Sequence, residues 1–152
     1  MPETIRLASQ NDLPAILRLI AADSLTGVDA PGEGQPAQPY VQALETIQAD
    51  PNNEYWVLED EDGSVVGCFQ LTYIPGLAYL GGWRATVETV RVAPQLRGRG
   101  LGRKMMEWAI DRARERGCAL VQLATNKQRD AAHRFYKSLG FVASHEGMKL
   151  RL

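Results

Sequence analysis

One stretch constrains the fold of this chain more than any other. Residues 88–104 read ETVRVAPQLRGRGLGRK, a valine-rich strand that turns through glycines into a helix. A glycine turn between a strand and a helix presents backbone N–H groups, and the helix adds the positive end of its dipole. The stretch therefore predicts a cradle for a phosphorylated ligand, with a core made of Arg97, Gly98, Arg99, Gly100, Leu101, Gly102 and Arg103.

The glycine spacing excludes two common nucleotide loops. A Walker A loop has Gly-x-x-x-x-Gly-Lys followed by Ser or Thr, whereas here Gly98 is followed five residues later by Arg103, and Met105 offers no hydroxyl to magnesium. The dinucleotide fingerprint has Gly-x-Gly-x-x-Gly, whereas Gly98, Gly100 and Gly102 alternate. The cradle therefore belongs to another class of phosphate site.

A second motif covers residues 125–141, which read TNKQRDAAHRFYKSLGF. Its centre predicts a helix over Asp130–Leu139 that ends at Gly140. On that helix, Phe135 and Leu139 form a core pair, and a separate sector holds Arg129, Ala132, His133 and Tyr136.

Together the two motifs resemble the acyl-CoA site of the GNAT N-acetyltransferases. Arg97-x-x-Gly100-x-Gly102 after a Val-x-Val strand is similar to that family's acetyl-CoA pyrophosphate loop, and Ala-x-x-Phe-Tyr-x-x-x-Gly-Phe to its second half. Within the family, the likeness is nearest to aminoalkylphosphonate N-acetyltransferases, through Asp-Pro-Asn at 50–52, the strand with Glu88 and the second motif.

One position departs from the family pattern. GNAT enzymes such as the ribosomal-protein acetyltransferases often have Asn seven residues before the tyrosine, where this chain has Arg129. Asn126 lies three residues earlier. Either residue could contact the pantetheine or the phosphates of the cofactor.

The resemblance implies a transferase, an acyltransferase with acetyl-CoA as donor, that acetylates the primary amine of a small molecule or peptide. The alternative is a non-catalytic acyl-CoA-binding module. Tyr136 would be the general acid for the CoA sulfur and Glu88 the base, through water. Pantetheine would pair with the main chain of the Glu88–Val92 strand. The cofactor contacts would comprise the cradle core and Val90, Arg91, Val92, Asn126, Arg129 and His133.

Strand alternation places Glu88, Val90 and Val92 on one face, opposite Val87, Thr89 and Arg91. The bland interpretation of Glu88 is a strand carboxylate that pairs with Arg84 or Arg91. No cluster of His, Cys and carboxylates has metal-ligand spacing, so no metal is expected.

The length of 152 residues predicts a single domain over 1–152. Charge is divided unevenly along the chain. Residues 1–62 carry a net charge of −10 and residues 63–152 a net charge of +9. Either one face receives an anionic ligand and another a cationic one, or both faces are merely solvated. The acceptor side is expected to be built from the first helix, the 24–39 loop and the turns after Tyr73 and Phe141. The acidic residues Asp23, Asp29 and Glu33 of this side favour a cationic amine, which conflicts with a phosphonate substrate.

Other features bear on location and partners. The start of the chain lacks an apolar signal core, no apolar run is long enough to span a membrane, and Cys68 and Cys118 suggest reduced thiols, so a cytoplasmic protein is expected. Residues 91–116 carry eight basic and three acidic residues but no aromatic platform, since Trp108 lies on the apolar side of its helix. Nucleic acid is therefore not an expected partner, and the family resemblance implies a homodimer as an option.

The order of predicted elements is β-α-α-β-β-β-α-β-α-β, a GNAT-like α/β fold with a mixed, mostly antiparallel sheet flanked by helices. The predicted strands are Thr4–Ala8, Tyr55–Leu58, Val65–Tyr73, Thr86–Val92, Ala119–Ala124 and Phe141–Leu152. Helices are predicted from near Asn11, over Tyr40–Ala49, from the glycine turn to Gly117 and over Asp130–Leu139, with a loop at 24–39.

Overall fold

The computed structural model describes residues 3–23 and 34–152. Most of the predicted loop at 24–39 lies outside these residues, together with Asp29 and Glu33. The chain divides into two compact units, Met1–Gln122 and Leu123–Leu152.

Five strands form one sheet in chain order, and the first three pairings are antiparallel. The strands are β1 (Thr4–Leu7), β2 (Asn53–Glu59), β3 (Val65–Ile74), β4 (Trp83–Val92) and β5 (Cys118–Leu123). The helices are α1 (Leu13–Ala21), α2 (Gln38–Ala49), the short α3 (Ala78–Gly81), α4 (Leu101–Glu115) and α5 (Asp130–Ser138). The predicted α/β class with a mostly antiparallel sheet is confirmed.

Strand β5 lies beside β4 and runs parallel to it. A Cβ placed on Gly82 would lie 2.8 Å from that of Ala119, and the Gln122 amide donates to the Thr86 hydroxyl at 3.0 Å. Residue numbers therefore rise together along the two strands. Because β5 ends at Leu123, the part of β4 from Glu88 onward runs past the last residue of β5.

The core of the first unit is formed by the sheet, by α4 and by α1, whose residues Leu13, Ile16, Leu17 and Leu19 are buried. The predicted stripe on α4 is confirmed, since Leu101, Met105, Ala109 and Ala113 are all buried. Gly67 on β3 lets the helix approach, because a Cβ there would lie 2.9 Å from the Met105 sulfur. The side chains that are almost fully buried include Phe69, Leu58, Leu71, Met105, Met106, Val57, Val87 and Cys68.

Trp108 packs on this same side of the sheet. Its ring centroid lies 4.3 Å from that of Trp56 on β2 and 6.1 Å from that of Phe69 on β3. The expected apolar placement of Trp108 is therefore confirmed, and its ring is committed to packing contacts in the first unit.

The predicted last strand, Phe141–Leu152, is wrong. Residues after α5 form no strand, and Met148, Leu150 and Leu152 are almost fully exposed. The alternation of apolar and polar residues is present, but a strand also needs a neighbour to satisfy its backbone groups. The described part of the second unit offers no strand for such a pairing.

The predicted core pair of α5 is also wrong. No residue of α5 is buried, and Phe135 and Leu139 are both half-buried. The ring of Tyr136 instead contacts Phe135 at 5.1 Å and Phe141 at 5.9 Å between centroids.

Over the described residues, no helix is long and apolar enough to cross a membrane.

Candidate functional site

The glycine turn has the conformation that a phosphate cradle requires. After β4, a single 3-10 turn over Pro94–Leu96 leads to Gly98 at φ 79° and Gly100 at φ 82°, and α4 begins at the next residue. Residues that carry a side chain rarely adopt this left-handed backbone conformation. No atom lies within 4 Å of a Cβ built on Gly98 or Gly100, so the backbone of the turn is open on that side. The turn therefore fits a pyrophosphate at the N-terminus of α4.

The basic side chains at the turn differ in whether they form ion pairs within the protein. Arg97 and Arg99 are exposed, and neither makes an ion pair with another described residue. Arg103 lies 3.4 Å from Glu107, and Lys104 binds Glu3 at 3.0 Å. Arg97 and Arg99 are therefore the side chains at the turn that an anionic ligand could recruit without breaking an ion pair.

Strand β4 contains a β-bulge that corrects the predicted alternation. Cys68 pairs with Arg91 whereas Gln70 pairs with Glu88, so β4 has one extra residue between these pairs. Thr89 takes up the irregularity with φ 56°, which β-branched residues rarely adopt. Because paired residues point to the same face of a sheet, Glu88 shares a face with Arg91 and not with Val92.

Two main-chain carbonyls near the end of β4 nevertheless point in the direction that pairing with pantetheine requires. The N–H of Ala93 donates to the Val66 carbonyl of β3 at 2.8 Å. Arg91, two residues earlier, pairs with Cys68 of β3, so its N–H points the same way. In a trans peptide the preceding carbonyl points the opposite way. The carbonyls of Val90 and Val92 therefore point away from β3, toward the side of β4 along which β5 has already ended.

Glu88 is exposed on β4, and the ion pair with Arg84 or Arg91 that would make it merely structural is not formed. Within 3–23 and 34–152, no cation lies at ion-pairing distance from its carboxylate. Arg91 instead approaches Asp23 at the end of α1, with 3.4 Å between Nη2 and Oδ2. Glu88 is therefore an exposed carboxylate in the first unit, and water can reach it.

In the second unit, the residues of the second motif form a local network. The side-chain oxygen of Asn126 accepts a hydrogen bond from the N–H of Gln128 at 2.9 Å. The main-chain carbonyl oxygen of Asn126 lies 3.1 Å from Nε2 of His133. A carbonyl only accepts, so Nε2 of His133 carries the proton in this contact. The N–H of His133 donates to Arg129 at 3.1 Å. Arg129, His133 and Tyr136 are half-buried, while Asn126 is exposed.

A small cavity of about 240 Å³ lies at the opposite end of β4 from the glycine turn, lined by Tyr73, Trp83, Arg116 and Cys118. None of the cradle residues lines this cavity, so the cavity is separate from the glycine turn. Among the described residues, no group of three or more His, Cys, Asp and Glu side chains could hold a metal ion.

The order of strand, bulge, glycine turn and helix corresponds to a known family. The sequence profile of the acetyltransferase (GNAT) family matches residues 19–141, which include both motifs. The chain belongs to the GNAT family.

Relatives with known names agree with this membership. Over 141 residues the chain is 32% identical to the uncharacterized N-acetyltransferase YjgM of Escherichia coli, a match that covers 90% of this chain and 80% of that one. It is 35% identical over 96 residues to the aminoalkylphosphonate N-acetyltransferase of Salmonella typhimurium, covering 63% of this chain and 61% of the relative's own length. The GNAT membership and these names support transfer of an acetyl group to an amine in general.

A solved structure matches the fold almost throughout. A protein from Bacillus halodurans described as a transcriptional regulator is 44% identical, with a TM-score of 0.93 and 99% of each chain covered. The match to this solved structure therefore spans residues of both units.

Two features of this GNAT chain escape sequence reasoning. The bulge at Thr89 leaves no mark in the alternation of β4, because one extra residue is recognised only against the partner strand. The approach of Arg91 to Asp23 joins residues far apart in the chain.

Proposed function

We propose that this GNAT protein is an acetyl-CoA-dependent N-acetyltransferase that transfers acetyl directly to the primary amine of a small molecule or peptide. The observation that carries the proposal is the open glycine turn at the start of α4, with Gly98 and Gly100 at positive φ and no neighbouring atom where side chains would lie. The proposal takes 1–152 as a single acetyltransferase domain.

Donor binding would use backbone more than side chains. The pyrophosphate would be held by the N–H groups of residues 98–103, with Arg97 and Arg99 as the available cations and Arg103 nearby. The pantetheine arm would pair with the outward-facing groups of Val90 and Val92, in the manner of an added strand. In the second unit, Asn126, Arg129 and His133 are the candidate contacts.

Two residues would move protons. Glu88 would accept a proton from the acceptor ammonium through water, because only the neutral amine attacks the thioester. Tyr136 would donate a proton to the departing CoA thiolate. A positioned general acid or base contributes roughly 10²–10⁴ to a rate. Each role rests on the family likeness and on the exposure of Glu88 and the half-buried position of Tyr136.

The acceptor side is less acidic than the composition suggests. Asp23 faces Arg91, so its charge is partly balanced within the protein. This weakens the argument for a strictly cationic acceptor and leaves room for an amine that also carries an acid group. The relatives include an aminoalkylphosphonate N-acetyltransferase and an L-amino acid N-acyltransferase, whose names describe such amines.

The alternative is a non-catalytic acyl-CoA-binding module. It is favoured by one observation, the 44% identical relative that is described as a transcriptional regulator. Such a module would keep the glycine turn but would not need Glu88 or Tyr136.

Release of free CoA thiol from acetyl-CoA, followed over a panel of amines, separates the two functions. The panel includes amino acids, aminoalkylphosphonates, polyamines and lysine peptides. The enzyme would release thiol with at least one amine, and Tyr136→Phe would release it more slowly while still binding CoA. Tight CoA binding without turnover on any amine would favour the binding module.

A further inference from the structure

The bulge in β4 is held by side chains at two successive carbonyls. The Cys68 thiol donates to the Thr89 carbonyl across 3.7 Å, and Nη1 of Arg91 donates to the Val90 carbonyl at 3.0 Å. Thr89, which carries the first of these carbonyls, has φ 56°, a conformation that persists only where the surroundings enforce it. The two contacts therefore fix the peptide planes on either side of Val90.

Arg91 is itself held in an unusual place. Only 16% of its side chain is exposed, and Nη2 lies 3.4 Å from Asp23 at the end of α1. Its Nε is buried and finds no hydrogen-bond partner among the described residues. Burying a guanidinium with an unused donor is costly, and an apolar side chain would pack at this position without that cost. Packing alone therefore does not explain an arginine at this position.

The carbonyl that Arg91 binds is one of the two that point away from β3 toward the proposed pantetheine path. A carbonyl oxygen has two lone pairs, so Val90 can accept from Arg91 and from a ligand amide at once. We propose that Arg91 is a positioning residue for the donor, whose side chain holds the Val90 peptide in the orientation that pantetheine needs. Asp23 holds the guanidinium in turn. This inference rests on the proposed function.

Two ligands distinguish this role from a purely structural one. CoA contains the pantetheine arm, whereas adenosine 3′,5′-bisphosphate contains only the part that the glycine turn would hold. Dissociation constants for both are measured by calorimetry on the full-length wild type, Arg91→Met, Arg91→Lys and Asp23→Asn, with melting temperatures as a check on folding. Arg114→Met is the matched control, since Arg114 is an exposed arginine of α4 that pairs with Asp111.

Arg91→Met is expected to weaken CoA binding about tenfold, the loss that one charge-assisted hydrogen bond represents. Binding of adenosine 3′,5′-bisphosphate stays within about twofold of wild type, and Arg91→Lys and Asp23→Asn lie between. Arg114→Met changes neither constant. If Arg91→Met does not fold, the lysine and asparagine variants carry the test by the same ratio of CoA to bisphosphate affinity.

Other outcomes overturn the inference. Equal weakening of both ligands would mean a general structural role, and unchanged or tighter CoA binding would mean that Arg91 is irrelevant or competes with pantetheine. A wild type that binds neither ligand would contradict the proposed function itself, which is a separate failure.

Discussion

Arg112 on α4 donates a hydrogen bond to Glu54 on β2, with 2.6 Å between Nη2 and Oε2. Glu54 is buried, and it also accepts from the Tyr73 hydroxyl at 2.5 Å and the Trp56 indole at 3.2 Å. Burial alone would raise the pKa of Glu54, but the hydrogen bonds from Arg112 and Tyr73 outweigh it and hold the pKa below its ordinary 4.5. One carboxylate thus ties the helix that begins at the glycine turn to the centre of the sheet.

Glu54→Gln is expected to lower the free energy of unfolding by about 2 kcal/mol at pH 7, because it removes the charge from a largely buried pair. A carboxylate with a lowered folded pKa stabilises the protein above its unfolded pKa and loses this effect as pH falls through the folded one. The difference between wild type and Glu54→Gln should therefore shrink below about pH 4.5. Urea unfolding at several pH values measures it.

Glu115→Gln is the matched control for that series. Glu115 lies 4.0 Å from the same arginine but is 72% exposed, so its loss should cost less than about 0.5 kcal/mol. An equal cost for the two substitutions, or a Glu54→Gln effect that does not depend on pH, would contradict the assignment.

The two thiols should differ sharply in reactivity. Cys68 is fully buried, and burial raises its pKa to about 11 despite hydrogen bonds from Tyr55 and Arg91. Cys118 is half-buried, and burial raises its pKa with a partial offset by Arg116. A chromogenic disulfide reagent should therefore titrate only Cys118 in the native state, faster as pH rises, and Cys118→Ala should abolish that signal. Rapid native labelling in Cys118→Ala would contradict the burial of Cys68.

Gly100→Ala should weaken CoA binding about tenfold, since a side chain at φ 82° costs about 1–2 kcal/mol and would shift the cradle. Gly63→Ala is a close control, because Gly63 in the β2–β3 hairpin has the same φ of 82° and the same open space for a Cβ. Both variants should lose similar stability in thermal unfolding, but only Gly100→Ala should lose affinity in calorimetry. A parallel loss of affinity in Gly63→Ala would show that strain, and not the cradle, is being measured.

Glu88→Gln should lower kcat by roughly 10²–10⁴ at neutral pH and leave the dissociation constant of CoA unchanged. Its activity should recover as pH rises, because an amine that loses its proton in solution no longer needs the base. Steady-state rates across a pH series test this, with Glu115→Gln as an exposed-carboxylate control. A kcat within twofold of wild type at pH 7 would remove Glu88 from the mechanism.

Local pattern predicted the parts of this chain that depend on local physics. The stripe on α4 and the glycine turn before it follow from residue spacing and from conformations that only glycine adopts easily. The bulge at Thr89 could not be predicted, because register is a property of two strands. The strand expected at 141–152 failed for a related reason, since alternation describes a strand's faces but supplies no partner for its backbone.

In the proposed reaction, acetyl from acetyl-CoA passes to an amine on this protein. The most direct test supplies acetyl-CoA with an isotopically labelled acetyl group, incubates the wild type with the amine panel and identifies the products by mass spectrometry. We predict a labelled amide of at least one primary amine, formed in step with free CoA and much more slowly by Glu88→Gln. Labelled acetyl that stays entirely in acetyl-CoA with every amine, on a protein that binds CoA, would contradict the claim.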